Sequence, residues 1–392
     1  MSETVLMTIL AIIANELTPY RLHLHRRIVA ELPEVTLWSV FTHEGPYAEP
    51  IDPAIRPVRF GAGERAADPI TALTLMREWR KGGRIIRWLE SAGVNQVILF
   101  GYNDPARLRV FRWCAVRGIA CYVFGDSNVL GDFASGLKRW IKHTYLRWVT
   151  QSAAGILHCG RLGLKYFLRY GAPPDRLHPF PYEPDYSAVT AAGPREIDAA
   201  VDHFRLPRGR RRLLFAGRMV RAKRPDLLLK AFQSIAPERP EWDLVLAGEG
   251  PLRVALQASI PTALQPRIHF TGFVSSRELL SGLYAASEVF VLPSDYEPWG
   301  VVLAEAATRL ALVASSVTGA AADLIEDGRN GRIFPAGSLS ALTQALMDVT
   351  AEDHYPRMQA ESPRILEAWR ARTDPVCTLS RLLELDRART AA

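Results

Sequence analysis

Short apolar runs alternate with longer amphipathic ones along most of the chain, and this rhythm limits the fold more than any other feature. In the first half the runs at 5–14, 35–40, 96–100, 120–124 and 155–158 are expected strands. Helical patterns at 19–32, 71–91, 106–116 and 137–149 separate them. The texture then changes. Residues 171–211 carry seven prolines and end in the basic run "RGRRR", which predicts a connection between domains. After it the alternation restarts. Strands are expected at 213–216, 242–247, 268–271, 289–292, 312–314 and 332–334, with helices at 225–235, 251–259, 276–286, 300–309 and 339–349. Strands separated by helices of this length imply parallel sheets. The expected class is therefore α/β, with two Rossmann-like domains facing each other across a cleft. Ligands of such sheets bind at the carboxyl ends of the strands.

Bulk properties narrow the partners. The 392 residues are 48% hydrophobic and 23% charged, ordinary values for a globular chain. The longest apolar run, "VLMTILAIIA", is too short to span a bilayer and lacks the flanks of a signal peptide, so a buried strand is expected. Cys114, Cys121, Cys159 and Cys377 show no CxxC or zinc spacing, which predicts reduced thiols in a cytoplasmic protein and no metal site. A formal net charge of +7 suits nucleic acid, an anionic membrane surface or a phosphorylated small molecule.

Five loops of the second half carry the chemistry. In "LLFAGRMVRAKRPDLLLKAF" a strand ends, Gly217 turns, and Arg218 and Lys223 precede a helix. A planar donor fork, a compact ammonium and a helix end suit a diphosphate. A solvated basic loop containing Arg221 and Arg224 is the alternative. "LVLAGEGPLR" offers Gly248 and Gly250 for close backbone approach to a ligand, or forms an ordinary turn. "RIHFTGFVSS" places Gly272 and Phe273 in a loop whose backbone would meet a base ring, or that forms a plain turn. In "SDYEPWGVVLAEA", Glu297-Pro298 is expected to enter a helix with Glu305 two turns further on. Eight helical residues rise about 12 Å, so the two carboxylates would reach two ends of one ligand, each suited to a diol. Glu305 sits among Val301, Val302, Leu303, Ala304, Ala306 and Ala307 and needs a partner. In "VASSVTGAAADLIEDGRNGRIF" a short helix is expected from Thr318 to Asp327-Gly328, offering amides at Gly319–Ala321 to a phosphate.

In these residues the chain resembles the retaining GT-B glycosyltransferases of family 4, the glycosyl transferases group 1. "FAGRMVRAK" resembles their G-R-x4-K element and "EPWGVVLAE" their E-x7-E element, and the neighbouring blocks follow in the same order over about 210–335. The resemblance implies that Arg218 and Lys223 bind the donor diphosphate, that Glu297 meets the donor sugar, and that Glu305 meets the ribose. Gly217, Gly248, Gly272, Phe273, Pro298, Trp299, Gly300, Val301 and Gly319 would complete the donor pocket. It also implies an acceptor domain over 1–190, a nucleotide-sugar domain over 191–365 and a C-terminal helix over 366–392 that crosses back. The expected reaction is metal-independent transfer with retention, from a UDP or GDP sugar and without another cofactor. Glu297, Arg218 and Lys223 would be its catalytic residues. Same-face attack assisted by the leaving phosphate is favoured over a covalent intermediate.

Upstream the resemblance is weaker. The glycine pair of the first loop is replaced by Asn15-Glu16-Leu17, "YVFGDSN" stands where a histidine is common, and Ala320 replaces a second glycine. Acceptor-side candidates are Glu16, Tyr20, Arg21, Tyr102, Asn103, Asp104, Asp126 and Ser127, all after expected strand ends. The acceptor is expected to be a glycan, a lipid-linked saccharide or a small molecule. The basic and aromatic stretch "GLKRWIKHTYLRW" suits a membrane surface carrying a lipid-linked acceptor, a peripheral contact. The favoured reading there is a helix with packed aromatics and a solvated basic face. A nucleotide-sugar epimerase on the same fold is one alternative function. A phosphorylase would need a pyridoxal site, and no such pattern stands out. A basic nucleic-acid-binding protein is another, although no RNP, KH, zinc or helix-turn-helix pattern is present, so no nucleic-acid partner is expected.

Overall fold

The computed structural model describes residues 7–45, 52–65 and 71–391. It divides into two compact units, 1–184 with 373–392, and 185–372. The expected boundaries at 190/191 and 365/366 thus differ from the observed ones by about a helix turn or two.

The first unit is built on a seven-stranded sheet in the order β3-β2-β1-β4-β5-β6-β7. In chain order it contains β1 (Thr8–Ala14), α1 (Pro19–Glu31), β2 (Val35–Phe41), β3 (Pro57–Arg59), α2 (Ala72–Ser91), β4 (Gln96–Phe100), α3 (Pro105–Arg117), β5 (Ala120–Gly125), α4 (Gly136–Ser152), β6 (Gly155–His158), α5 (Gly160–Arg169) and β7 (Leu177–Pro179). All pairings are parallel. Strands β4 and β6 are buried at every position, which is why each reads as an uninterrupted run. Local chemistry sets the helix ends. Asp104 accepts a hydrogen bond from the Arg107 amide, Pro105 follows at the first turn, and Gly118 ends α3 at φ 67°. Helices α2 and α3 approach at Gly82, where a Cβ would lie 2.8 Å from the Ala106 carbonyl oxygen.

The second unit has a six-stranded parallel sheet, β10-β9-β8-β11-β12-β13. It runs α6 (Tyr186–Thr190), α7 (Pro194–His203), β8 (Arg211–Ala216), α8 (Pro225–Ile235), β9 (Trp242–Ala247), α9 (Arg253–Ala258), β10 (Ile268–Gly272), α10 (Arg277–Ala285), β11 (Val289–Leu292), α11 (Val301–Ala306), β12 (Ala311–Ser315), α12 (Ala321–Leu324), β13 (Gly331–Phe334), α13 (Leu339–Val349) and α14 (Tyr355–Thr373). The proline-rich stretch is not a bare connection. It supplies β7, α6 and α7, with Pro194 in the first turn of α7, and α6 and α7 pack against α10. Its basic run is paired within the unit. Arg208 bridges Asp198 and Asp202, Arg210 bonds Asp243, and Arg212 donates to the Ala286 carbonyl.

Helix α15 (Pro375–Ala391) belongs to the first unit, where it packs on α1 and β7. Arg27 of α1 ties it down, holding Asp374 at 2.8 Å and the buried Glu183 at 2.9 Å.

Candidate active site

The loops at the carboxyl ends of β8 and β11 bring Lys223 and Glu297 together. Lys223, in a single turn of 3₁₀ helix before α8, pairs with the buried Glu297 carboxylate. Arg218 is exposed and makes no ion pair among the described residues. The rest of the basic loop is accounted for differently. Arg224, at φ 50°, bonds Asp226 and holds Asp295 at 3.0 Å, fixing this loop against the one after β11. The Asp295 amide adds a bond to the Ala222 carbonyl.

The glycines of the site serve chain packing. A Cβ on Gly248 would lie 2.0 Å from the Gly217 carbonyl oxygen, and one on Gly250 would lie 2.5 Å from that of Met219. Backbone bonds zip the two loops together: Gly217 N–H to Ala247, Met219 N–H to Glu249 and Leu252 N–H to Met219. Gly248 also donates to the Gly272 carbonyl, which links the third loop. Phe273 beside it is 65% exposed.

Three expectations for the segment after β11 need correction. Glu297 does not enter a helix. Pro298 follows it, Gly300 takes φ 98°, and α11 begins only at Val301. Glu297 instead forms a parallel bridge with Thr318. The separation of the two carboxylates is therefore not a helical rise. Second, α12 ends at Leu324 rather than at Asp327-Gly328, because its four residues give way to a turn. The amides expected to receive a phosphate already have acceptors: Gly319 donates to Glu297, Ala320 to Trp299 and Ala321 to Thr318. Gly319 is required there because a Cβ would lie 2.0 Å from the Pro298 carbonyl oxygen. Third, Trp299 does not line a pocket with its ring. It is buried and stacks on Trp369 of α14 at 5.5 Å.

Glu305 does have a partner in the protein. The Tyr284 hydroxyl of α10 donates to its carboxylate at 3.0 Å. Burial pushes the Glu305 carboxyl up to about 7, against the weaker opposing effects of Tyr284 and Arg277. An acid raised in the folded state stabilises the fold most below its unfolded value near 4.5, and that stability is lost as pH rises through about 7. Glu305→Gln should match the parent near pH 4 and exceed it by ~1–3 kcal/mol near pH 8 without ligand. Denaturant melts at the two pH values test this. A difference that does not change with pH would remove the desolvation argument. Glu288, also raised to about 7 by burial, titrates in both proteins and cancels.

In the first unit the acceptor-side candidates divide into two groups. The Tyr182 hydroxyl donates to Asp126 at 3.0 Å, and its ring meets Tyr20 edge-on at 4.8 Å. Arg21 lies over Tyr20 and Phe100 and donates to the Glu16 carbonyl. Separately, the Tyr102 and Ser127 hydroxyls are 3.2 Å apart, and Tyr102 is largely buried. Asn103 is exposed, whereas Asp104 caps α3 and pairs with Arg107.

Two features escaped the sequence. His158, buried at the end of β6, bonds the Gly160 carbonyl at 3.0 Å, and burial lowers it to about 4, keeping the ring neutral. Lys81 is fully buried in α2. Its ammonium donates to the Thr42 carbonyl at 2.8 Å, lies 2.7 Å from Glu78 and 2.6 Å from Glu64, and His43 completes the group. His43, Glu64 and Glu78 form the one cluster among the described residues with metal-ligand spacing, and Lys81 already supplies a cation to it. The local signal was Glu78 and Lys81 three residues apart in one helix, a spacing that lets their side chains meet.

The sequence profile described as "Glycosyl transferases group 1" matches residues 210–352. The alpha-D-kanosaminyltransferase of Streptomyces kanamyceticus is 31% identical over 158 residues, 40% of this chain and 40% of that protein. The aligned part thus spans about two fifths of that relative's length. Among solved structures, sucrose-phosphate synthase from Thermosynechococcus elongatus superposes with a TM-score of 0.75 at 18% identity, covering 97% of this chain and all of the other. The Anabaena protein HepE, in complex with UDP and glucose, gives 0.71 at 16% identity over 97% of this chain and 100% of that one. The two parallel sheets are those of the GT-B glycosyltransferase fold. Within it, the second unit carries a glycosyl transferases group 1 domain.

Proposed function

We propose that this protein is a retaining glycosyltransferase that moves a sugar from a nucleoside diphosphate sugar to an acceptor hydroxyl without a metal. The observation that carries the reading is the Lys223–Glu297 pair at the ends of β8 and β11, with the exposed Arg218, which makes no ion pair among the described residues, on the same loop. At an effective dielectric of about 20, two unit charges in contact attract by about 4 kcal/mol. A diphosphate carries more than one negative charge and accepts from Arg218 as well, so it competes for Lys223. Exchange of that partner frees Glu297 to accept hydrogen bonds from sugar hydroxyls.

Bond cleavage at the anomeric carbon leaves negative charge on the diphosphate, and Arg218 and Lys223 would stabilise it. Glu297 would orient the sugar and stabilise positive charge on its ring. The acceptor hydroxyl would attack the face that the leaving group vacates and pass its proton to a leaving phosphate oxygen. Glu305 would take the ribose diol, exchanging part of its bond to Tyr284. UDP or GDP is the proposed nucleotide. HepE is described with UDP, and a Mycobacterium tuberculosis relative is a GDP-mannose-dependent mannosyltransferase. The proposed acceptor is a glycan, a lipid-linked saccharide or a small molecule, in a cytoplasmic setting, with Asp126, Tyr182 and Ser127 of the first unit as its candidate contacts. The basic run at 208–212 is paired internally, which favours this reading over a nucleic-acid-binding one.

Thermal melts with UDP, GDP, ADP, dTDP and CDP test the reading. One diphosphate present at about a hundred times its Kd should add about 2.7 kcal/mol, and chelator should not reduce the shift. No shift with any of the five would refute the donor site.

A further inference from the structure

The helices on one side of the first unit carry a marked charge imbalance. Together α2, α3, α4 and α5 contain sixteen Lys and Arg and two Glu. They form one continuous layer. Helix α2 packs on α3, Phe111 of α3 meets Trp148 of α4, and Lys142 of α4 lies over Tyr166 and Tyr170 of α5. Right-handed crossovers from β3 through β7 place all four helices on the same face of the sheet. The acids in and beside the layer are already neutralised: Glu78 by Lys81, Glu90 by Arg117, Asp104 by Arg107 and Asp132 by Lys142.

Large apolar side chains stand out from this layer. Phe133 is 79% exposed, Leu137 71%, Trp140 66% and Ile141 54%. Leu137, Trp140, Ile141 and Trp148 fall at helical spacing along the outer face of α4, while Leu146 and Val149 face the core. The reading of α4 as a helix with its aromatics packed inward holds for Tyr145 and in part for Trp148, but not for Trp140. Lys138, Arg139 and Arg147 flank the ridge, are exposed, and make no ion pair among the described residues. Between α2 and α3 lies a groove of about 490 Å³ lined by Arg80, Arg84, Arg87 and Arg109. Gly83 admits the Arg109 guanidinium, which lies over Trp79 and donates to its carbonyl.

We propose that this helical layer is a docking face for an anionic lipid bilayer, with Leu137 and Ile141 seated among the acyl chains, Trp140 at the headgroup level and the surrounding arginines on lipid phosphates. Charge complementarity selects the occupant. A second copy meeting the face about a two-fold axis would oppose like charges. A nucleic acid would use the arginines and stack on Trp140, but would leave Leu137, Ile141 and Phe133 without a role. A bilayer uses both, with tryptophan at the headgroup level, apolar side chains beneath it and about 1 kcal/mol for each basic residue near the surface. The inference is independent of the sugar-transfer reading.

Vesicle flotation of the full chain tests it, using phosphatidylcholine with and without phosphatidylglycerol. The parent should float only with the anionic vesicles, and added salt should weaken it. The triple variant Leu137→Ser, Trp140→Ser, Ile141→Ser should lose at least about tenfold in affinity with an unchanged melting temperature. Arg80→Gln with Arg84→Gln and Arg87→Gln should weaken the anionic binding by a similar factor. Failure to float, or flotation unchanged in both variants, overturns the proposal. So does flotation that is equal on neutral vesicles. A dimer in sedimentation velocity that the triple variant dissolves would assign the ridge to a second copy. Salt-sensitive RNA binding without vesicle binding would assign the face to nucleic acid. Either result overturns the lipid proposal.

Discussion

Glu297→Gln should cost sugar transfer at least about a hundredfold while improving the grip on nucleoside diphosphate alone. The carboxylate is the ion-pair partner of Lys223, so its neutral amide releases the ammonium for phosphate. Lys223→Ala should lose about a hundred- to a thousandfold in transfer and lose most of the thermal shift with the nucleotide as well. The two variants therefore separate in binding although both fail in turnover. Melting curves with the preferred diphosphate, beside a transfer assay, read both effects. Full transfer activity in both variants, or the same loss of nucleotide binding in both, would sink the assignment of these roles.

The second large effect belongs to stability. Lys81→Met should destabilise the first unit by about 3–5 kcal/mol, because it leaves carboxylates facing each other with their buried counter-ion gone. Burial pushes the Glu78 carboxyl up, yet the neighbouring His43 and Lys81 outweigh this and hold it down to about 2. Adding Glu78→Gln to the lysine variant should recover part of the loss. Unfolding by heat or denaturant checks both. If the single variant melts with the parent, the ammonium is not the keystone of that group.

Most strands could be read because buried parallel strands are written as short apolar runs. Residues 96–100, 155–158, 242–247 and 289–292 are strands with the expected bounds. The edge strands β3 and β7 went unread since each has only three residues and includes a proline. In the site, the identities of Arg218, Lys223, Glu297 and Glu305 were visible locally. Their relations were not. The Lys223–Glu297 pair joins loops 74 residues apart, and the Tyr284–Glu305 bond joins α10 to α11. A sequence shows that a backbone must come close to something without showing what; at Gly248, Gly250 and Gly319 a Cβ would meet the backbone of a neighbouring segment. The ring of Trp299 could not be placed either, because a tryptophan beside a glutamate looks the same whether its ring faces a pocket or another tryptophan.

The return of α15 to the first unit bears on how the molecule is made. Residues 185–372 are, in effect, an insertion within a unit whose helix α15 is translated long after its sheet. Until that helix emerges, Arg27 lacks Asp374, and the Tyr122 hydroxyl lacks its acceptors Leu382 and Asp386. The inserted unit has a continuous stretch of chain and can complete its core first, so the domain that begins earlier finishes later. The Arg27 triad is thus a closing clasp, set only after residues 185–372 have been made.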